Sequence, residues 1–318
     1  MKTFWFVIAL LLGQVAWADP KYPPVSVKVE AVKLAPHSYY VPGLAGAASA
    51  ENEGFMSNAG FVVTPEGVVV IDTLGSPSLA SAMLAEIRRV TEAPIKYVIV
   101  THYHADHYYG IQVYKDAGAE IWAQEGARGV IGSEAARQRF EQRKEILSPW
   151  IADDTQRFLE PDRWLSGDLD FRLGGVQFKV RHVGPAHSSE DLVIHVEPDA
   201  TLYAGDLVFK SRVPFVGDAD SKAWLAALDK LIAFQPKVLV PGHGGASEAP
   251  MDDLVLTRDY LLYLRDAMGK AVADLVPFEE AYEKTDWSRY THLPAFAEAH
   301  RRNAYNTYIL MEREALGK

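Results

Sequence analysis

Three histidines and one aspartate fall within six positions of one short stretch, T-H-Y-H-A-D-H at 101–107, directly after the apolar run I-K-Y-V-I-V at 95–100. Residues two apart lie on different faces of a helix, so a helix cannot point all four side chains at one place. A tight loop at the end of a buried strand can gather them around one point or two adjacent points. Imidazole nitrogens and carboxylate oxygens are ordinary zinc ligands, so the stretch predicts a metal site.

Further candidate ligands follow strand-like runs downstream. His187 stands in G-P-A-H-S-S-E-D, Asp206 in L-Y-A-G-D-L-V-F and His243 in V-L-V-P-G-H-G-G. Each lies in a glycine-containing turn, where loops on a rigid sheet commonly carry function. A histidine-rich surface loop without a metal is the alternative for 101–107 alone, but it does not account for the candidates that recur after other strands.

The chain contains no cysteine, so any metal must be held by histidine and carboxylate groups. These donors favour zinc, iron or manganese, and thiolate sites are excluded. Without disulfides the fold must rest on a sizeable hydrophobic core, and 48% hydrophobic residues can supply one. The formal net charge of −10 argues against nucleic acid or an anionic membrane surface as the main partner. We expect a small-molecule substrate.

The first eighteen residues have the pattern of a signal peptide. Lys2 supplies a positive charge, residues 4–12 form an apolar segment too short to span a bilayer comfortably, and 16–18 read Ala-Trp-Ala, a small-x-small cleavage site. We expect cleavage after Ala18 and a periplasmic or secreted protein with no stable membrane insertion. An uncleaved membrane anchor is the alternative.

Strand-like and helix-like patterns alternate along the rest of the chain and predict an α/β fold. The predicted strands are 25–34, a hairpin at 60–73, 95–100, 120–123, 168–173, 176–183, 191–197, 201–205 and the first part of 237–245; the predicted helices are 76–92, 124–148, 221–234 and 250–275. Both halves run from strands into βα units, which suggests a pseudo-symmetric αβ/βα arrangement. We divide the chain into a signal peptide (1–18), a catalytic domain (19–250) and a C-terminal helical extension packed on the core (251–318).

Taken together, the motifs at 101–107, G-P-A-H at 184–187, A-G-D at 204–206 and P-G-H at 241–243 resemble those of the metallo-β-lactamase superfamily. The resemblance implies a four-layer αβ/βα sandwich with the site at one edge. It also implies a role for each matching residue. A first metal would bind His102, His104 and His187; a second would bind Asp106, His107 and His243; Asp206 would bridge the two metals; and Asp72 would support the site without binding metal.

The same resemblance implies the chemistry. Two zinc ions, with iron or manganese less favoured, would produce a bound hydroxide that attacks an amide, ester, lactone or thioester. Asp106 is the candidate catalytic residue, because it could orient the hydroxide or accept its proton. The chain has no Gly-x-Ser-x-Gly nucleophile motif that would suggest a serine hydrolase.

Individual residues of these motifs resemble different subfamilies. Asp206 stands where the best-known lactamases have a cysteine, and Phe209 stands where they have a lysine; Lys210 comes one place later. Asp206 and the complete His-x-His-x-Asp-His resemble glyoxalase II, whereas the turn around His187 is more similar to a lactamase. The chain most resembles exported zinc hydrolases associated with sulfur oxidation and quinoprotein systems, with β-lactam hydrolysis among the expected activities. A glyoxalase II-like thioesterase and a non-catalytic metal-binding accessory protein are the alternatives.

Residues around the motifs have less specific interpretations. Lys210 and Arg212 follow Asp206 on a loop expected to border the metals, so they are candidate substrate-binding cations, although a solvated basic turn fits equally. The remaining histidines that we examined lack the motif context and are interpreted as structural or surface residues: His37, His182, His195, His292 and His300. Three tyrosines beside the ligands could pack beside the helix or donate a hydrogen bond to substrate: Tyr103, Tyr108 and Tyr109.

Overall fold

A computed structural model describes residues 21–217 and 219–317, so the predicted signal peptide lies outside the described residues. The strands are β1 (Val32–Lys33), β2 (Ser38–Val41), β3 (Ala59–Thr64), β4 (Gly67–Ile71), β5 (Ile95–Ile99), β6 (Glu120–Gln124), β7 (Arg163–Leu165), β8 (Leu169–Leu173), β9 (Val176–His182), β10 (Leu192–Val196), β11 (Thr201–Phe209) and β12 (Val238–His243). The α-helices are α1 (Pro77–Val90), α2 (Ala105–Tyr108), α3 (Ile111–Asp116), α4 (Glu134–Leu147), α5 (Ser221–Ala233), α6 (Pro250–Ala273), α7 (Phe278–Lys284) and α8 (Phe296–Ala315).

The strands form two mixed sheets. One sheet has the order β1-β2-β3-β4-β5-β6-β7, antiparallel up to the β3–β4 hairpin and parallel from β4 to β7. The other has the order β12-β11-β10-β9-β8, in which only β11 and β12 are parallel. Because parallel strands end at the same edge of a sheet, the residues that follow β4 and β5 are brought together.

Side-chain alternation along the strands explains the layers. In β4, Val68 and Val70 belong to the cluster that packs against α1, whereas Val69 and Ile71 belong to the cluster between the sheets, which also holds Phe178 of β9. The outer face of the second sheet packs against α5 and α6. The result is helix, sheet, sheet, helix, which confirms the predicted four-layer sandwich.

The C-terminal helices pack on the second sheet. Helix α6 begins at Pro250, and α8 lies against it, with Tyr260, Leu264 and Tyr308 in one buried cluster. Among the described residues, every helix is too short or too polar to cross a membrane.

One predicted strand is largely wrong. Of the segment 25–34, only Val32–Lys33 is a strand. Upstream, the backbone N–H groups of Ser26 and Val27 donate to the Glu53 carboxylate at 2.9 and 3.4 Å instead of to a neighbouring strand. The side chain of a distant residue thus replaces the expected ladder.

Candidate metal centre

The candidate ligands come from loops at one edge of the two sheets. His102 and His104 follow β5, Asp106 and His107 lie on the short helix α2, and His187 lies in the turn between β9 and β10. Asp206 lies on β11, and His243 is the last residue of β12. The structure therefore brings all seven sequence-predicted ligands into one centre, as two adjoining groups whose ligand atoms lie within 4.8 Å of one another in each group.

The first group has the dimensions of a tetrahedral metal site. His104 Nδ1 lies 3.1 Å from His102 Nε2 and 2.9 Å from His187 Nε2. Asp206 Oδ2 lies 3.4 Å from His187 Nε2 and 3.8 Å from His102 Nε2. Ligands bound at zinc distances in a tetrahedron are about 3.3 Å apart. These four side chains therefore fit one metal ion.

The second group shares Asp206 with the first. His243 Nε2 lies 3.3 Å from both Asp106 Oδ2 and Asp206 Oδ2. His107 Nε2 lies 3.6 Å from Asp106 Oδ2 and 3.0 Å from Asp206 Oδ1. Asp206 thus faces ligands of both groups, which matches the bridging position that the family resemblance implied for it.

Unpartnered polar atoms support metal binding at this place. Among the described residues, Asp106 Oδ2, His107 Nε2 and Asp206 Oδ1 are buried and have no hydrogen-bond partner of acceptable geometry. Buried polar groups are almost always paired, so three such atoms pointing at one place require a ligand. Imidazole and carboxylate donors without thiolate suit zinc, and also iron or manganese.

The histidines of the centre are of two types, because the surroundings lower the pKa of some and raise the pKa of others. Burial lowers the pKa of His104 to about 3 and that of His187 to about 4, so both imidazoles stay neutral and able to bind metal. Burial also disfavours charge on His243, but the Asp206 and Asp106 carboxylates outweigh it and raise the pKa of His243 to about 9. A divalent cation would take the place of the proton that these carboxylates favour.

Asp72 supports the centre from behind. It follows β4 with a backbone φ of +60°, a left-handed conformation that glycine adopts freely and aspartate tolerates better than most other residues. Its carboxylate accepts hydrogen bonds from Thr101 N at 2.7 Å and Thr101 Oγ1 at 2.8 Å, and its Oδ2 lies 2.8 Å from His107 Nδ1. This contact turns Nε2 of His107 toward the metal position, so Asp72 lies where the resemblance placed it.

Sequence reasoning missed the segment before β3, which orients the ligands on both sides of the centre. Met56 O lies 2.8 Å from His243 Nδ1, and Ser57 Oγ donates to Asp106 O at 2.6 Å. Asn58 Nδ2 donates to Pro241 O at 2.8 Å. No metal-ligating residue marks this segment, so the sequence alone gave no signal beyond its place before a strand.

Glu190 was also missed. Its carboxylate accepts a hydrogen bond from Tyr103 N at 3.1 Å, and it is buried. Tyr103 lies between His102 and His104, and Glu190 lies three residues after His187. The contact therefore joins the two loops that carry the ligands of the first group.

The two predicted substrate-binding cations differ in their surroundings. Lys210 Nζ donates to Ala246 O at 3.0 Å, so its ammonium is held by the loop that follows His243. Arg212 is half-buried, and its guanidinium lies 5.9 Å from the centre of the Phe209 ring, which stacks on His243 at 5.2 Å. Of the two, Arg212 is the one placed beside the centre.

The other histidines lie outside the ligand groups. His37 Nδ1 is 2.9 Å from Asp199 Oδ1, His195 packs against Phe234, and Tyr260 Oη lies 2.9 Å from His300 Nδ1. His182 Nε2 lies 3.4 Å from Ser189 O, and His292 is in the turn before α8. The tyrosines at 103, 108 and 109 are buried, and the rings of Tyr103 and Tyr108 pack 4.5 Å apart.

Fold and ligand geometry together define a metal centre at the edge of an αβ/βα sandwich. The family model described as the metallo-beta-lactamase superfamily matches residues 52–243. This match covers more than half of the chain and includes every candidate ligand. The chain belongs to the metallo-β-lactamase superfamily.

The individual relatives of this chain are named for different activities. The chain is 27% identical over 239 residues to a linear primary-alkylsulfatase of Pseudomonas sp. (strain ATCC 19151), covering 64% of this chain and 45% of that protein. It is 21% identical over 253 residues to metallo-beta-lactamase IND-1 of Chryseobacterium indologenes, covering 75% of this chain and 89% of the other. Among solved structures, the stereoselective inverting sec-alkylsulfatase Pisa1 from Pseudomonas sp. superposes with a TM-score of 0.70 at 18% identity, over 91% of this chain and 50% of that one.

The names of these relatives describe sulfatase and β-lactamase activities. The chain spans about half the length of the two alkylsulfatases it matches. At 18% identity, the structural likeness concerns the fold alone.

Proposed function

We propose that this protein is a dinuclear zinc hydrolase. The observation that carries the proposal is the pair of adjoining ligand groups joined by Asp206, with unpartnered buried atoms of Asp106, His107 and Asp206 directed at the second position. A merely structural metal site is usually closed by four ligands around one ion, whereas two adjacent metals commonly serve hydrolysis. A non-catalytic accessory protein would not need the second group.

Two zinc ions, when bound, would lower the pKa of a water molecule and polarise the bond to be cleaved. The residues of the chain have separate tasks around them. Asp106 directs Oδ2 toward His243 and Oδ1 toward Arg143, and as a ligand beside the proposed water it can orient the water or accept its proton. Asp72 fixes the ring of His107, and Met56 O fixes that of His243.

The proposed substrates are amides, esters, lactones and thioesters, including β-lactams, with a glyoxalase II-like thioesterase as one form of this activity. The similarity to a linear primary-alkylsulfatase supports a second candidate, hydrolysis of a sulfate ester. Both candidates would use the same activated water, and they differ in the electrophile: an acyl carbon in the first, and a sulfate ester, cleaved at its S–O or its C–O bond, in the second.

A substrate screen tests the reaction type. Zinc-loaded wild type would be assayed with a β-lactam, a lactone, an aryl ester, S-lactoylglutathione and a primary alkyl sulfate, beside Asp106→Ala. Asp229→Ala is the matched control. Asp229 is exposed on α5, so this substitution removes the same negative charge away from the metal centre. We expect turnover of at least one class by wild type and by the control, and its loss in Asp106→Ala. Zinc-loaded protein that hydrolyses none of the five would contradict the proposal in favour of an accessory role.

We also propose that the protein is exported to the periplasm or secreted after cleavage behind Ala18, and that its partner is a small-molecule substrate and no nucleic acid. The N-terminal pattern and the net charge of −10 support these assignments.

A further inference from the structure

Helix α4 places two arginines toward the metal centre. Its buried residues are Phe140 and Leu147, which fix the face of the helix that is turned inward. Arg139 and Arg143 are one helical turn apart and flank that face, so both side chains are half-buried. The helix thus places two guanidinium groups beside the part of the metal centre that α2 forms.

The distances place these groups beside two ligands. Arg143 Nη2 lies 4.0 Å from Asp106 Oδ1, the oxygen that does not face His243. Arg139 Nη1 lies 3.5 Å from the carbonyl oxygen of Tyr103, the residue that precedes His104.

Most of the donors on these arginines are unused. At 4.0 Å, Arg143 is too far from Asp106 for a hydrogen bond, and among the described residues its guanidinium makes none. Within residues 21–217 and 219–317, the hydrogen bonding of the Arg139 guanidinium is limited to the long contact to Tyr103 O. By contrast Arg137, on the outer face of the same helix, pairs with Glu134 at 2.7 Å. A half-buried guanidinium has five donors that need acceptors, and a solvent-facing arginine satisfies them more easily.

We propose that Arg139 and Arg143 bind an anionic oxygen group of the substrate, of the sulfate, sulfonate or carboxylate class, next to the bond that is cleaved. This inference rests on the proposed function, because it names the substrate class of the same site. The planar fork of arginine matches two oxygens of such a group, and a half-buried setting strengthens the pair relative to water. Arg212, whose guanidinium lies 5.9 Å from the centre of the Phe209 ring, is a further positive charge beside the centre.

A positioning role for Arg143 makes a different prediction. If the guanidinium only held Asp106 in place, its removal would weaken metal binding and would affect charged and neutral ligands alike. Substrate recognition instead requires a loss confined to anionic ligands, with the zinc content unchanged.

Binding of a matched pair of probes separates the two roles without relying on turnover. Hexane-1-sulfonate and hexyl methyl sulfone have nearly the same shape and differ by one negative charge. Their affinities for the zinc-loaded protein would be measured by calorimetry for wild type, Arg143→Gln, Arg139→Gln and the control Arg137→Gln. Zinc content and circular dichroism of each variant show whether it is folded and loaded.

We expect each of Arg143→Gln and Arg139→Gln to weaken sulfonate binding about tenfold, to change sulfone binding less than twofold, and to keep the wild-type zinc content, while Arg137→Gln changes none of these. Either folded variant suffices for the test. Unchanged sulfonate affinity, or an equal loss for both probes, would overturn the inference. Charge-selective binding by a protein that hydrolyses none of the screened substrates would refute the proposed function and leave this inference standing.

Discussion

Replacing Gly242 by alanine should remove Asp206 from its bridging position while leaving the fold intact. A Cβ atom built on Gly242 would lie 1.8 Å from Asp206 Oδ1 and 2.8 Å from the carbonyl carbon of Gly205. Ordinary contact begins at 3.4 Å, so the carboxylate oxygen has to retreat by about 1.6 Å, and the β11 backbone at Gly205 and Asp206, 2.8 and 2.9 Å from the new Cβ atom, has to shift as well. Metal–ligand bonds tolerate deviations of roughly 0.2 Å, so a shift of this size breaks the bond.

The expected magnitudes follow from this clash. Inserting one methyl group into a packed region costs about 1–3 kcal/mol of unfolding free energy, which a domain of this size tolerates. Loss of Asp206 takes one ligand from each group, so we expect fewer than two zinc ions per chain and loss of hydrolysis. Gly245→Ala is the control, because a Cβ atom at Gly245, three residues further along the same loop, meets no atom within 4 Å.

The assay combines elemental analysis of the purified variants with urea unfolding in the presence of a chelator. The reasoning is refuted if Gly242→Ala retains two zinc ions and wild-type activity. It is refuted equally if Gly245→Ala loses as much metal as Gly242→Ala, since the effect would then belong to the loop as a whole.

Three further predictions concern the metal, export and pH. A chelator should abolish activity and added zinc should restore it; activity that survives exhaustive chelation would exclude a metal mechanism. N-terminal sequencing of protein from the native host should begin at Asp19, and a chain starting at Met1 would refute processing. Burial lowers the pKa of His300 to about 4, from 6.5, so the unfolded chain binds more protons between these values and stability falls as the pH drops from 6.5 toward 4. His300→Gln should remove this part of the pH dependence, measured by urea unfolding with chelator at pH 7 and pH 4.5; identical slopes for variant and wild type would contradict it.

The sequence predicted the candidate ligands that the structure brings together, because their chemistry is local. Each ligand motif combines a metal-binding residue with a strand end and a turn, and the spacing in T-H-Y-H-A-D-H is readable without knowledge of the fold. The layers were predictable for a related reason: the alternation in β4 and the helical spacing in α1 depend on neighbouring residues.

The missed features depend on contacts between distant residues. The segment 25–34 contains residues with strand preference, but the Glu53 carboxylate accepts hydrogen bonds from the backbone N–H groups of Ser26 and Val27. The polar helix α4 has only Phe140 and Leu147 buried, so its periodicity could not show that Arg139 and Arg143 face the centre. Lys210 and Arg212 both follow Asp206, and the sequence could not show that the lysine donates to Ala246 O while the arginine lies beside Phe209.

The most direct test of a dinuclear zinc centre is the metal content of the full chain purified without added metal. Elemental analysis of wild type would be combined with anomalous diffraction at the zinc edge, which locates each ion against its ligands. We predict two zinc ions per chain, one among His102, His104 and His187 and one among Asp106, His107 and His243, with Asp206 between them. A single iron, or one zinc with the second group empty, would contradict it.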